Sequence, residues 1–270
     1  MIIANNVRPG AENNKYFVRD PAAVGEDNYS WLKRITEEKN FKPSGLLLLG
    51  GNSVVDFHIR VSQSPLRHDL TPSYWSQVGI LEDLENFYSV PLQWKGDLSE
   101  MPHANGIQSN SLVEDYNDPE SFPNIAFIQF TKDMGKILEY AAKLKWQRGF
   151  IDLPALVVRW LDYVWAVGAI NPLAEAKGLP SAVFAEVAYG MGGIELTPGL
   201  ATGASCPEAI WQGAKWWGEY YEGAPRIKAK SRAAPMVPKG CFCLRQPAAA
   251  VREEAYVPPE EKKPAAKQKK

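Results

Sequence analysis

The chain is short of the residues that staple or ligate. Three cysteines and three histidines in 270 residues fall below what a disulfide framework or a zinc site requires. No apolar run approaches the roughly 20 residues needed to span a bilayer. The opening residues, Met1-Ile2-Ile3-Ala4-Asn5-Asn6, hold no basic stretch followed by an apolar one, so no secretory signal is read. A cytoplasmic protein is expected, with export by a signal-less route as the alternative. No glycine-rich phosphate loop of the required spacing is present, nor any internal repeat, and no metal or organic cofactor is expected.

What is present is apolar and aromatic. Hydrophobic residues make up 45% of the chain, with nine tryptophans, enough for a sizeable core in one large domain or two small ones. The net charge of -1 hides an asymmetry: residues 225–270 carry a net +8, and residues 1–224 a net -9. An acidic body argues against nucleic acid as a partner, because duplex binding draws its affinity from neutralised phosphates.

Residues 1–27 read as a polar, turn-rich N-terminal extension. Trp31, Leu32 and Ile35 predict a short helix to about Asn40. Leu46-Leu47-Leu48-Leu49, ended by Gly50-Gly51, predicts a buried strand. Asn52 or Ser53 is placed to cap a helix through Val61. Tyr74 to Leu81 is a second strand, with Trp75, Gln77 and Gly79 on one face and Ser76, Val78 and Ile80 on the other. Phe87 to Trp94 is a third, limited to an edge or bulge by Pro91. Met101 to Ile107 is a fourth, Leu112 to Tyr116 a helical turn, and Ile125 to Phe130 a further strand. Helices follow: Thr131 to Gln147, and Asp152 to Val167, whose apolar residues run nearly all round and predict deep burial. One or two short helices are expected over 171–188, broken at Gly178-Leu179-Pro180. Residues 225–270, rich in Ala, Pro and Lys, read as a disordered tail.

Cys206 is the main chemical candidate. Pro207 after it reads as a helix first position, and Glu208 suits the first turn. Ile210, Trp211, Ala214 and Trp217 follow at helical spacing. A thiol at a helix N-terminus lies near unpaired N–H groups, which lower its pKa and favour the thiolate nucleophile. The competing reading is a packed, inert cysteine.

The ordered segments Gly45-Leu46-Leu47-Leu48-Leu49-Gly50-Gly51-Asn52-Ser53, Tyr74-Trp75-Ser76-Gln77-Val78-Gly79-Ile80, Pro102-His103-Ala104-Asn105-Gly106-Ile107 and Ser205-Cys206-Pro207-Glu208 resemble the circularly permuted, YiiX-like branch of the papain-like NlpC superfamily over residues 43–217. The resemblance implies an α+β fold with a small, mostly antiparallel sheet against helices, one domain over 28–224. It implies a cysteine hydrolase or acyltransferase acting on an amide, ester or thioester bond through an acyl-enzyme. Cys206 would be the nucleophile, and amides at its helix head would hold the oxyanion. The family's histidine falls on Gln77, which cannot titrate. The position that orients that histidine falls on His103, so the resemblance implies a swapped arrangement, with His103 as acid/base and Gln77 orienting the ring or polarising a carbonyl. The alternative is a catalytically impaired member serving as a binding or assembly module.

Each candidate has a plainer reading. Gln77 is equally a sheet residue and His103 a surface-loop histidine. His58 reads as packed within an apolar helix and His68 as loop surface. Trp160, Trp165, Trp211, Trp216 and Trp217 read as core. The partner is an acyl or peptide-like substrate, or a protein. In the tail, Lys239-Gly240-Cys241-Phe242-Cys243-Leu244-Arg245 sets thiols beside basic residues; an unmodified flexible tail is the plain reading, and palmitoylation with weak membrane contact the functional one.

Overall fold

A computed structural model describes residues 15–93, 99, 103–148, 151–223 and 237–252. Leucines Leu46 to Leu49 form the centre of it. They lie in β2 (Gly45–Gly50), and all four are fully buried, each worth roughly 1.5–3 kcal/mol of transfer free energy. A strand apolar on both faces needs cover on both faces. Leu46 and Leu48 enter one hydrophobic cluster, and Leu47 and Leu49 the other.

The other strands are β1 (Phe17–Arg19), β3 (Gln77–Leu81), β4 (Asn86–Ser89), β5 (Gln108–Ser111), β6 (Asn124–Gln129) and β7 (Lys239–Leu244). They form one seven-stranded sheet in the order β1-β7-β6-β2-β3-β4-β5. The β1–β7 pair is parallel and the others are antiparallel. The α+β class and the mostly antiparallel sheet therefore hold. The sheet is larger than expected, and mixed.

The helices are α1 (Asn28–Glu38), α2 (Val54–Ser62), α3 (Leu112–Asp115), α4 (Gly135–Leu144), α5 (Leu153–Trp165), α6 (Pro180–Met191) and α7 (Pro207–Gly223). Trp31, Leu32 and Ile35 of α1, with Leu112 and Tyr116, cover the Leu47/Leu49 face. Residues from α4, α5, α6 and α7 cover the Leu46/Leu48 face. Local signals set the starts. Asp27 caps α1 by accepting from Ser30 N, Ser53 caps α2 by accepting from Asp56 N, and Asp152 caps α5 by accepting from Ala155 N.

Several expectations change. Residues 1–27 and 225–270 are not both outside the domain: Phe17–Arg19 and Lys239–Leu244 pair with each other in the sheet. Cys241 and Cys243 are buried against α1 and Phe242 against α7, so both sulfurs are closed to the acylation reading. Residues 1–14, 225–236 and 253–270 lie outside the described residues, as does Trp94. The third strand ends at Ser89, before Pro91, which has no N–H for a ladder. The fourth lies later than expected, at Gln108–Ser111, after a turn in which Gly106 has φ 74°. Helix α5 is not deeply buried all round: Trp160 is in the core, but Val158 and Trp165 are 64% and 65% exposed. Trp216 and Trp217 are half-buried rather than core.

Candidate functional site

One end of the sheet holds a cavity of about 650 Å³. It forms where β2 and β4 end and β3 and β6 begin, since antiparallel pairing brings those termini to the same edge. Gln77 and Ser76 reach it from the head of β3, Asn52 and Asp56 from the head of α2, and Leu179 and Ser181 from the head of α6. Val90, Leu92 and Ile59 give it apolar wall.

The α2 side is a compact polar unit. Ser53 Oγ donates to Asp56 Oδ2 at 2.6 Å, and Ser76 Oγ donates to Asp56 Oδ1 at 2.6 Å. Ser76 Oγ also accepts from Gly51 N at 3.1 Å. A carboxylate in the first turn of a helix is favoured by the dipole and the free amides there. Gly51 is required: a Cβ on it would stand 2.2 Å from Asp56 Oδ2. A larger residue would push the carboxylate out of this unit.

Gln77 is buried at 9% exposure. Its Nε2 donates to Ser89 Oγ at 3.0 Å and to Tyr116 Oη at 3.3 Å. Ser89 Oγ in turn donates to Val78 O at 2.6 Å. Burial pushes the Tyr116 phenol up to about 12, against a smaller opposite pull from the Gln77 bond. Across the strand, Val78 N donates to Ser181 Oγ at 3.2 Å. Pro180 stands in the first turn of α6, where its missing N–H costs nothing, and Ser181 follows. The α6 head thus meets β3 at the cavity.

Cys206 stands elsewhere. Its carbonyl accepts from Ile210 N at 3.1 Å, so it is the cap residue of α7, as the sequence indicates. Its sulfur is fully buried in the Leu46/Leu48 cluster. Burial pushes the thiol up to about 12. The amides of Ala209 and Glu208 pull the other way, while the Glu208 and Glu186 carboxylates add to the rise. The helix-head amides are directed at the sulfur as expected, but desolvation outweighs them.

Both neighbouring carboxylates have structural partners. Glu208 accepts from Ser73 Oγ at 2.6 Å and pairs with Arg67 at 3.2 Å. Its N–H donates to Gln63 Oε1 at 2.8 Å. Glu186 accepts from Ser205 Oγ at 3.0 Å and from Thr197 Oγ1, and burial raises its pKa above the ordinary carboxylate value. These groups fasten α7 to the 63–75 loop and to α6.

The three sequence candidates are not brought together. Gln77 pairs with Leu49 in the register, on the face that packs on α1 and α3, while Cys206 belongs to the cluster on the opposite face. His103 is exposed in a turn before β5. Neither Cys206 nor His103 lines the cavity; Gln77 does. Trp75 departs from the expected alternation. It precedes β3 and packs edge-on against Trp211, ring centroids 5.2 Å apart. His68 is exposed and His58 half-buried beside Phe57.

Sequence reasoning passed over Ser181, Asp56, Ser76, Tyr116 and Arg252. Two had a signal. Leu179-Pro180-Ser181 carries the same helix-start pattern as Cys206-Pro207, and Ser53 to Asp56 has capping-box spacing. Among the described residues no group of three or more His, Cys, Asp or Glu is placed to hold a metal. No helix among them is long and apolar enough to cross a membrane. No family model, curated protein or solved structure matches this chain.

Proposed function

We propose that the chain is a non-catalytic binding module on a permuted papain-like frame, and that the cavity at the α6 head receives an acyl- or peptide-like ligand. The observation that carries this reading is the cavity lining. It combines amide and hydroxyl groups from Asn52, Ser76, Gln77 and Ser181 with apolar wall from Ile59, Val90, Leu92 and Leu179, and it contains neither cysteine nor histidine among the described residues. Such a surface offers donors and acceptors for amide or ester groups and contact area for side chains or acyl carbons. Its described carboxylate, Asp56, is already engaged by the Ser53 and Ser76 hydroxyls, and no imidazole among the described lining residues stands ready to take a proton from a nucleophile near neutral pH. Support for the frame comes from the Gly50-Gly51 turn, the Ser76-Gln77-Val78-Gly79 strand beside it, and helix heads packed behind that strand.

The test is a calorimetric titration with N-acetyl-alanyl-leucinamide. Saturable binding is expected, equal for the wild type and Cys206→Ser. Rapid alkylation of Cys206 by iodoacetamide near neutral pH, together with turnover of p-nitrophenyl acetate that Cys206→Ser abolishes, would overturn the reading.

A second reading, a cysteine hydrolase or acyltransferase working through a Cys206 acyl-enzyme, draws on one observation: the Glu208 and Ala209 amides directed at the sulfur. It requires the α7 head to open and a base to reach it.

A further inference from the structure

The chain segment after β7 runs back over the cavity end of the sheet, and it is held there by an unusual anchor. Arg60 of α2 is 1% exposed. Its Nη1 donates to Ala248 O at 2.7 Å, and its Nη2 donates to Ala250 O. A guanidinium taken out of water costs stability unless its donors are bonded, and here both terminal nitrogens are spent on the backbone of a loop, while the buried Nε has no hydrogen-bond partner among the described residues. Two more bonds fix the same segment. Asn52 Nδ2 donates to Gln246 Oε1 at 3.5 Å, and Arg252 N donates to Asn52 O at 2.7 Å. Only Ala248 contributes a buried apolar side chain there. Polar bonds, rather than apolar packing, therefore hold the strap in register.

That register delivers one side chain to the cavity. Arg252 is exposed, yet it lines the cavity beside Asn52, and it is the only cation among the lining residues described. Its guanidinium forms no ion pair within 4.0 Å among the described residues; its charge is felt at a distance by Asp118. Asp56, the only carboxylate among the lining residues described, is held by two serine hydroxyls on the α2 side.

Building on the cavity-binding reading, we propose that Arg252 is the residue that selects the ligand's end group, and that the ligand class is a peptide-like molecule with a free carboxylate. The carboxylate meets Arg252 at the exposed edge, the amide groups face Gln77, Ser76 and Asp56, and the apolar portion lies along Val90, Leu92 and Leu179. Arg60 acts as a positioning residue, setting the strap that carries Arg252. An arginine fork suits a carboxylate because two parallel N–H groups match its two oxygens.

The experiment compares N-acetyl-alanyl-leucine, which ends in a carboxylate, with N-acetyl-alanyl-leucinamide, against wild type and Arg252→Gln, folding being checked by circular dichroism. The acid is expected to bind wild type about tenfold more tightly than the amide, as one charged hydrogen-bonded contact at an exposed edge allows. Arg252→Gln removes that preference, bringing the acid and the amide to equal affinity. Raising salt from about 0.05 to about 0.5 M shrinks the preference in wild type. If the two probes bind wild type equally, or Arg252→Gln keeps the preference, the Arg252 assignment is wrong while the cavity reading stands. If neither probe binds wild type, both are wrong.

Discussion

Two helices on the same side of the sheet begin alike and end in different roles. Both α6 and α7 open with proline in the first turn and carry a small hydroxyl or thiol beside it, Ser181 in one and Cys206 in the other. The α6 head abuts β3 and borders a cavity. The α7 head is enclosed by Gln63, Glu186, Glu208 and Arg67, whose hydrogen bonds are satisfied within the fold. A helix N-terminus supplies amides and a positive dipole in both places. Whether that makes a reactive site depends on desolvation, and at Cys206 burial wins. The α7 head is thus a structural joint and the α6 head an open one.

That contrast makes variants near α7 cost the most stability and spare ligand binding, while variants at the cavity cost less stability and weaken ligand binding. The largest effect is expected for Trp211→Ala. Trp211 is fully buried and stacks edge-on with Phe17, Trp75 and Phe242 at centroid distances of 5.3, 5.2 and 5.2 Å. Its loss should cost about 3–5 kcal/mol in urea unfolding. Next is Glu208→Ala, which removes the buried carboxylate that pairs with the buried Arg67 guanidinium at 3.2 Å; a loss of about 3 kcal/mol is expected by the same measurement.

Alkaline pH sharpens the contrast. Burial raises the folded-state pKa of Cys206 to about 12 and of Cys241 to about 11, from 9.0. The unfolded chain releases these protons first, so the stability they contribute is complete below about pH 9 and is lost as pH rises toward 11–12. The urea midpoint should fall across that window, and fall less in Cys206→Ala. A midpoint flat from pH 9 to pH 11 would show the thiols to be better solvated than their burial requires.

Smaller effects are expected at the open joint. Ser181→Ala leaves the Val78 N–H without its acceptor, at a cost of about 1–2 kcal/mol, and it weakens the peptide probe severalfold. His103→Ala, in an exposed turn, should stay within about 0.5 kcal/mol of wild type and leave Cys206 alkylation unchanged. A drop in that rate would restore the dyad reading.

Much of the frame is legible in the sequence because it follows local rules. The Leu46–Leu49 run and the Ser53 cap each appear as read. β1 and β7 were not legible. Lys239–Leu244 sits in an Ala/Pro/Lys-rich stretch, and the strand forms because β6 and Phe17–Arg19 offer it partners far away in sequence. The alternation of Cys241, Phe242 and Cys243 was the available signal. The Cys206 helix head was legible, but its enclosure was not, since Gln63, Arg67 and Glu186 reach it from other elements. Gln77 lines the cavity beside Ser181, and Cys206 does not.

The most direct test of this account is an amide chemical-shift map, made by titrating uniformly 15N-labelled protein with N-acetyl-alanyl-leucinamide. Shifts concentrated at Asn52, Asp56, Gln77, Val78 and Ser181, with Cys206, Glu208 and Ala209 unmoved, are predicted. Shifts centred on residues 206–209, with the cavity amides silent, would contradict it.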